Sequence, residues 1–341
     1  MTLPEAKNTQ KTYEEHPFAE YVRILGKGKK GSRSLTEEEA FNSMSMILNN
    51  EVEDLQLGAF LMLLRVKEES PEELAGFVKA AKSIMTPPTH LQVDLDWSSY
   101  AGKRRHLPWY LFSVICLAQN GMRIFMHGAS GHTADRMYTE DVLQDLGFSI
   151  SKDWAQAEKA LNKLNFCYMP LSCLSPRLND MINMRPILGL RSPVHSLSRL
   201  INPVNADTVI QGIFHPAYST MHQKAGQILG YKQLAVIKGE GGEIERNPDN
   251  ELSVLFSGLN GLNEEIWPRM YDKRHVKAEE MSVDHMINIW KGEHFDEYAE
   301  GAIIGTMAIA LKTTGKATSQ EEALKLARDH WESRDKNFLD T

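Results

Sequence analysis

From residue 123 onward, apolar runs of strand length alternate with amphipathic stretches of helix length, and this alternation constrains the fold more than any other feature. The runs that we interpret as strands are Arg123–Met126, Phe166–Met169, Val209–Phe214 and Leu234–Ile237. The stretches that we interpret as helices are Trp109–Gln119, Arg136–Leu146, Leu174–Met184 and Ala217–Leu229. An earlier alternating segment, Leu91–Leu95, predicts the first strand. Because parallel strands need crossover connections, the pattern predicts an α/β domain whose mainly parallel sheet is flanked by helices.

A small helical bundle is predicted ahead of this sheet. Thr36 and Ser70 each begin a capping box, completed by Glu39 and Glu73, and Pro71 occupies a first helical position. Apolar side chains at helical spacing predict about four short helices between residues 19 and 85. We therefore expect a polar, disordered tail at residues 1–18, a helical domain at 19–86 and an α/β domain at 87–335. Helices return in the last part of the α/β domain, at residues 278–330.

Length and composition narrow the class of protein. The 341 residues suit two domains or one domain with a helical appendage. No uncharged apolar run is long enough to cross a bilayer, and the first 17 residues lack the apolar centre of a signal peptide. We expect a soluble cytoplasmic protein without a membrane partner. Cys116, Cys167 and Cys173 form no Cys-x-x-Cys pair, which favours ordinary reduced side chains over disulfides or zinc ligands.

The distribution of charge is uneven. A net charge of −7 argues against a polyanionic partner, but binding depends on where the charges lie. Residues 21–36 contain five basic side chains and no acid, and residues 173–206 contain four arginines and one acid, Asp180. Much of the acid comes after residue 240. The basic side chains that we consider candidates for binding phosphate are Lys27, Lys29, Lys30, Arg33, Lys103, Arg104, Arg105, Arg185, Arg191 and Arg199.

The segments that follow the predicted strands are the places where ligands bind in such sheets. After Leu91–Leu95 comes a loop that we take to begin at Asp96, with a single glycine, Gly102. A cradle of backbone amides around a diphosphate needs several glycines, so this loop would attract phosphate only through the charges of Lys103, Arg104 and Arg105. Trp97, Tyr100 and Trp109 are candidates for stacking on nucleobases.

Three further segments allow two interpretations each. Residues 127–135 contain two glycines and form either a modest anion nest or a plain turn capped by Thr133 or Asp135, while His127 is either a proton donor or a structural histidine. Arg185 and Arg191 could clamp an anion or form a solvated face. The glycines and carboxylates of residues 239–245 suit either a Mg²⁺ site or an acidic surface turn.

Read together, these segments resemble the anthranilate phosphoribosyltransferase family. The most specific pieces are His127-Gly128, the run from Gly189 to Arg191 that leads to Ile201-Asn202-Pro203, the block Gln211–Pro216, and Lys238-Gly239. The resemblance spans about residues 19–330. It implies a homodimer with the fold that this family shares with pyrimidine nucleoside phosphorylases, so that residues 19–86 would serve dimerisation.

Several positions that family enzymes use for phosphoribosyl diphosphate differ here. Residues 99–103 replace the family's Gly-Thr-Gly-Gly-Asp loop, and residues 107–110 replace its Asn-Ile-Ser-Thr stretch. Met126 and Ala129 stand where a lysine and an asparagine flank the His-Gly pair. Of the Mg²⁺-binding Asp-Glu pair only Glu245 remains, with Ile244 at the first position, while Arg185 matches an arginine near the acceptor carboxylate. Gly102, His127, Gly128 and Arg185 would then mark a degenerate substrate site.

The first hypothesis is that the chain is a non-enzymatic homodimer that binds single- or double-stranded nucleic acid non-specifically and requires no cofactor. A paralogous branch of the family with degraded sugar-diphosphate loops resembles nucleic-acid binders, and the Gly-Lys segment Gly26–Arg33 and the stretch Arg191–Leu197 are similar to it. The second hypothesis is a Mg²⁺-dependent phosphoribosyltransferase of the kind used in tryptophan biosynthesis, with Arg185 orienting the acceptor and Glu245 holding the metal. A protein-interaction module that uses the acidic half is a third hypothesis.

Overall fold

A computed structural model describes residues 14–259, 261–276 and 281–339. Most of the expected disordered tail, residues 1–13, lies outside the described residues. Its last residue, Phe18, is fully buried and packs its ring against Phe60, so the packed helical domain begins one residue before the expected boundary.

Four helices form the N-terminal bundle, as the sequence predicts: α1 (Ala19–Gly26), α2 (Glu37–Leu48), α3 (Asp54–Lys67) and α4 (Pro71–Ser83). Both capping boxes are present, since Thr36 accepts from the amide of Glu39 and Ser70 accepts from the amide of Glu73. The helices bury an apolar cluster that continues onto one face of the sheet. The bundle is therefore packed against the α/β domain.

Seven strands form one sheet: β1 (Leu95–Ser99), β2 (Ile124–Gly128), β3 (Phe166–Pro170), β4 (Thr208–Ile213), β5 (Gln233–Lys238), β6 (Leu252–Gly258) and β7 (Gly261–Trp267). Their order is β3-β2-β1-β4-β5-β6-β7. The first five pair in parallel, and β6 and β7 pair antiparallel. The mainly parallel α/β architecture predicted from the alternation is confirmed.

Two sheet predictions were wrong in detail. The first strand is Leu95–Ser99 rather than Leu91–Leu95, so Asp96 to Ser99 belong to a strand and not to a loop. All five residues of this strand are buried, including Asp96, Ser98 and Ser99, because β1 lies between β2 and β4. Alternation cannot reveal a strand that is covered on both faces. The β6–β7 pair was not predicted at all.

Helices cover the sheet and connect its strands: α5 (Tyr110–Gln119), α6 (Thr139–Asp145), α7 (Trp154–Leu164), α8 (Leu171–Leu174), α9 (Pro176–Ile182), α10 (Arg185–Leu188), α11 (Val194–Leu197), α12 (Ser219–Ile228), α13 (Val283–Lys291), α14 (Glu297–Thr313) and α15 (Gln320–Glu332). A second apolar cluster joins α5, α14 and α15 to the sheet. No helix within the described ranges is long and apolar enough to cross a membrane. Cys116, Cys167 and Cys173 are unpaired, as predicted.

Candidate anion site at the carboxyl ends of the strands

The strands β1 and β4 are parallel neighbours in the middle of the sheet. From β1 the chain continues to β2 and β3 toward one edge, and from β4 it continues to β5, β6 and β7 toward the other edge. In open parallel sheets the carboxyl ends of the strands at such a point form a crevice that binds ligands. Here the crevice is bordered by the segment after β1, residues 100–109, and by the segments after β2 and β5. These are the segments that the sequence analysis examined.

The backbone amides after β1 are occupied by a carboxylate of the same chain. Glu243 Oε1 accepts hydrogen bonds from the amide of Ala101 at 2.6 Å and from the amide of Gly102 at 2.5 Å. Glu243 is fully buried, and Gly102 adopts a φ of +68°. Two consecutive amides that converge on one oxygen form the arrangement that binds anions, and Glu243 supplies the anion here.

Lys103 makes a second internal pair beside the first. Its Nζ lies 2.5 Å from Glu245 Oε1, and Glu245 Oε2 accepts from the amide of Tyr110 at 3.0 Å. Both side chains of the ion pair are buried. Burial raises the pKa of Glu245, and Lys103 offsets part of that rise by favouring the charged carboxylate.

This pairing corrects two interpretations of the sequence. Lys103 was predicted to attract phosphate at the surface, but its ammonium group is buried against Glu245, which supplies the counter-charge. Both oxygens of Glu245, the candidate metal ligand, are engaged by Lys103 and by the Tyr110 amide. Because a Mg²⁺ ion would have to displace the Lys103 ammonium group or the Tyr110 amide from these oxygens, the residues present do not fit a Mg²⁺ site.

Four arginines converge on the segment between β2 and α6. Arg185 Nη1 and Arg191 Nη2 both donate to Thr133 Oγ1, at 3.1 and 3.0 Å. Arg136 Nη1 donates to the carbonyl oxygens of Ala101 and Gly102, at 2.7 and 3.0 Å. The fourth is Arg199, which is buried. We call these four residues, Arg136, Arg185, Arg191 and Arg199, the arginine cluster.

The arginine cluster has one acidic neighbour, Glu243, whose charge favours the charged form of Arg199 and so raises its pKa against the effect of burial. Within residues 14–259, 261–276 and 281–339, no ion pair joins a carboxylate to any of its members. Burial lowers the pKa of Arg191, and the charges of Arg136, Arg185 and Arg199 lower it further. Four positive charges held together beside a single carboxylate, that of Glu243, create a net positive potential, which favours an anionic ligand.

Arg136 was missed in the sequence, whereas three candidates in the arginine cluster were predicted. The search favoured basic segments without acids, and Arg136 directly follows Asp135. Its arginine head reaches carbonyls more than 30 positions away along the chain. No local sequence pattern signals that contact.

His127 and Gly128 end β2 rather than beginning a loop. Tyr100 Oη lies 2.7 Å from His127 Nδ1, and His127 Nε2 lies 3.3 Å from Asp96 Oδ2. All three side chains are buried. A β carbon at Gly128 would lie 2.0 Å from the carbonyl oxygen of Ser99, so this glycine permits the close approach of β1. The arrangement is that of an interior polar network.

The remaining basic candidates are exposed. Lys27, Lys29, Lys30 and Arg33 lie between α1 and α2, and Arg104 and Arg105 lie between β1 and α5. Arg33 forms a two-pronged ion pair with Glu39, at 2.6 and 2.7 Å, so part of its charge is neutralised. The 27–33 segment belongs to the helical domain, while Arg185, Arg191 and Arg199 lie close enough together for their charges to interact.

The aromatic side chains proposed for stacking on bases do not line the cleft. Trp97, Tyr100 and Trp109 are buried in the apolar interior. Trp97 stacks on Tyr110, and Trp109 packs against Phe112. The stacking prediction was wrong. These large rings fill the protein core beside a sheet that is covered on both faces, so a nucleobase cannot reach them.

Comparison with known proteins places this geometry in a family. Residues 19–83 match the helical bundle domain of a glycosyl transferase family, and residues 111–334 match its α/β domain. The chain belongs to this glycosyl transferase family. Its fold is that of anthranilate phosphoribosyltransferases, as the sequence motifs indicated.

Relatives of two kinds are similar to this glycosyl transferase family member. Anthranilate phosphoribosyltransferase of Bacillus cereus is 27% identical over 317 residues, covering 90% of this chain and 91% of the relative. The uncharacterized protein YbiB of Escherichia coli is 26% identical over 269 residues, covering 77% of this chain and 82% of the relative.

Solved structures show the same fold. Anthranilate phosphoribosyltransferase from Thermus thermophilus superimposes with a TM-score of 0.79 at 21% identity, covering 95% of this chain and 97% of that one. The enzyme from Saccharomyces cerevisiae, solved with phosphoribosyl diphosphate and Mg, superimposes with a TM-score of 0.74 at 16% identity, covering 94% of each chain.

Proposed function

We propose that this protein is a homodimer that binds nucleic acid non-specifically through basic side chains, and that its phosphoribosyl diphosphate site is degenerate. The observation that carries the proposal is the division of charge in the cleft. Glu243 and Lys103 fill the diphosphate side with internal partners, whereas the four members of the arginine cluster form no direct ion pair among the described residues and have a single acidic neighbour, Glu243. The cleft therefore favours anions that bind through guanidinium groups.

The degenerate diphosphate site rests on the buried contacts of Glu243 and Lys103. A diphosphate would have to displace the Glu243 carboxylate from the Ala101 and Gly102 amides and approach it at close range. Transfer of a phosphoribosyl group depends on electrostatic holding of the leaving diphosphate, which a neighbouring carboxylate opposes. Loss of the Mg²⁺ ligand to Lys103 removes a further contribution.

Binding of nucleic acid rests on the arginine cluster together with exposed lysines. Arginine forks bind phosphate oxygens in pairs, and flexible lysines such as Lys27, Lys29 and Lys30 add longer-range attraction. Such contacts recognise the phosphate backbone and not the base sequence. A homodimer would present the set twice and lengthen the surface that a strand can follow.

A salt titration tests this function. Fluorescence anisotropy with a labelled single-stranded oligonucleotide should give a logarithmic affinity that falls linearly with the logarithm of salt concentration, by about 0.7 per phosphate contact. Scrambled sequences should bind equally well. An affinity that is independent of salt, or no binding at low salt, would contradict the proposal.

An active transferase is the second candidate, and the similarity to anthranilate phosphoribosyltransferases over 90% of the chain favours it. Arg185 would then orient the carboxylate of the acceptor. Calorimetry with phosphoribosyl diphosphate and Mg²⁺ separates the two candidates. Heat that saturates near one ligand per chain would support the transferase and contradict the degenerate site.

A further inference from the structure

The arginine cluster and two neighbouring residues, Ser192 and His195, contain buried donors and acceptors that have no partner among the described residues. Arg199 is 8% exposed, and its Nη1 has no hydrogen-bond partner among the described residues. His195, 9% exposed, likewise has no partner for Nε2, and neither has the hydroxyl of Ser192. Buried polar groups are normally paired, so a set of unpaired ones in a single place indicates a site that a ligand completes.

These groups lie in the field of the arginine cluster. The charges of Arg191 and Arg199 lower the pKa of His195, after burial and the neighbouring His132. The His132 and His195 rings are in edge contact, with centroids 5.0 Å apart, and His132 Nε2 lies 3.0 Å from the carbonyl oxygen of Tyr100. The unpaired atoms and the arginines therefore belong to one site.

The chemistry of the site selects a compact anion with more than one charge. Four guanidinium groups lie here against one carboxylate, that of Glu243, whose Oε1 is bonded to two amides and whose charge acts on Arg199. A phosphate monoester carries about −1.5 to −2 charges at neutral pH and offers three terminal oxygens. A phosphodiester inside a strand carries a single charge and is flanked by sugars on both sides, so it matches the arginine count less well.

Burial also distinguishes the end of a strand from its middle. Arg185 is exposed and Arg191 is half-buried, while Arg199 lies deepest. A continuous strand that passes over the site would reach Arg185 and Arg191 but would need a sharp bend to reach Arg199. A terminal phosphate can enter as a chain end and contact all three.

We propose that the arginine cluster, completed by Ser192 and His195, binds the terminal phosphate of a nucleic acid strand. This inference rests on the proposed nucleic-acid binding and refines it. The arginine cluster holds the strand end, and the exposed lysines of residues 27–30 hold backbone phosphates without regard to position. The protein then distinguishes phosphorylated strand ends from hydroxyl ends.

The test compares internally labelled oligonucleotides of one sequence that carry a 5′-phosphate, a 3′-phosphate or hydroxyls at both ends. Wild-type protein should bind at least one phosphorylated strand roughly tenfold more tightly than the hydroxyl strand, the effect of an added charge-assisted hydrogen bond. Arg191→Gln should bring the ratio close to one. Arg185→Gln, at an exposed position, should lower the ratio even if Arg191→Gln fails to fold, and thermal melting checks both variants.

Lys29→Gln is the matched control, because it removes one positive charge outside the arginine cluster and should weaken all strands equally. Equal affinities of the wild type for phosphorylated and hydroxyl strands would overturn the strand-end proposal while leaving nucleic-acid binding intact. Absence of binding to every strand would overturn the proposed function itself. A free 5′-mononucleotide that competes as well as the phosphorylated strand would show a general phosphate monoester site and overturn the assignment to strand ends.

Discussion

Buried charges are paired differently in two regions of one cleft. On the side of β1 and β5, Glu243 meets backbone amides and Lys103 meets Glu245, so each buried charge has a partner in the chain. On the side of β2 and α10, Arg185 and Arg191 donate to a hydroxyl and Arg136 donates to carbonyl oxygens, while Arg199 has the Glu243 carboxylate as an acidic neighbour. Each region holds a buried atom without a hydrogen-bond partner among the described residues, Glu243 Oε2 in the first and Arg199 Nη1 in the second, but the second region carries a surplus of positive charge. The difference favours the arginine side as the half of the cleft that binds an anion.

The largest effect that we expect comes from breaking the buried ion pair between Lys103 and Glu245. Lys103→Met leaves the buried Glu245 carboxylate without its counter-charge and should lower the free energy of unfolding by about 3–5 kcal/mol. Urea denaturation measures the change. The double variant Lys103→Met/Glu245→Gln should recover most of the loss, since glutamine still accepts from the Tyr110 amide. If the single variant is as stable as the wild type, the ion pair between Lys103 and Glu245 does not stabilise this side of the cleft.

Removing the internal anion should cost less and should open the cradle. Glu243→Ala leaves two buried amides unpaired, at about 2–4 kcal/mol for the loss of charge-assisted hydrogen bonds. Added diphosphate should then raise the melting temperature of this variant more than that of the wild type, in which the arginine cluster is available but the amide cradle is filled by Glu243. Glu240→Ala provides the control, because its carboxylate does not contact those amides. A wild-type protein that diphosphate stabilises equally would show that Glu243 does not block the cradle.

Substitution in the arginine cluster should change the free energy of unfolding in the opposite direction. Arg199→Met removes a buried guanidinium with an unpaired nitrogen and should raise the free energy of unfolding by about 0.5–2 kcal/mol, as expected where binding sites sacrifice stability. The same variant should bind oligonucleotides more weakly. Urea denaturation and anisotropy together make the check. Loss of stability with unchanged binding would mean that Arg199 serves the core.

The smallest effect is expected outside the cleft. Lys29→Gln should leave the urea midpoint unchanged, because the side chain is exposed and stabilises nothing. It should weaken oligonucleotide binding for all sequences and reduce the slope against the logarithm of salt by about 1. A salt slope identical to that of the wild type would remove this loop from the interface.

Local signals explain what could be predicted of the fold. The helical bundle was readable because a capping box lies within four consecutive residues, as at Thr36 and Ser70. The first strand was misplaced because Asp96 and Ser98 look like loop residues, although they are buried between neighbouring strands. The β6–β7 pair was missed because its outer strand, Gly261–Trp267, is largely exposed and has no continuous apolar run.

The site was harder to predict, because its decisive contacts are distant in sequence. Lys103 and Glu245 are 142 positions apart, and nothing near either residue indicates the other. Glu243 was read as part of an acidic turn, and only the fold brings it to the Ala101 amide. Arg185, Arg191 and Arg199 were accessible to sequence reasoning, because they fall within one segment with little acid.

The strand β7 has a consequence for how the molecule avoids unwanted assembly. It ends the sheet, at an edge where a strand could pair with another chain, and Gln223 and Gln320 donate to its carbonyl oxygens at Asn263 and Ile266. Glu264 and Glu265 lie on it, held by Ser253 and Lys312 respectively. Carboxylates at this sheet edge discourage fibril-like pairing of one sheet with another, and they also repel polyanions from this side of the molecule.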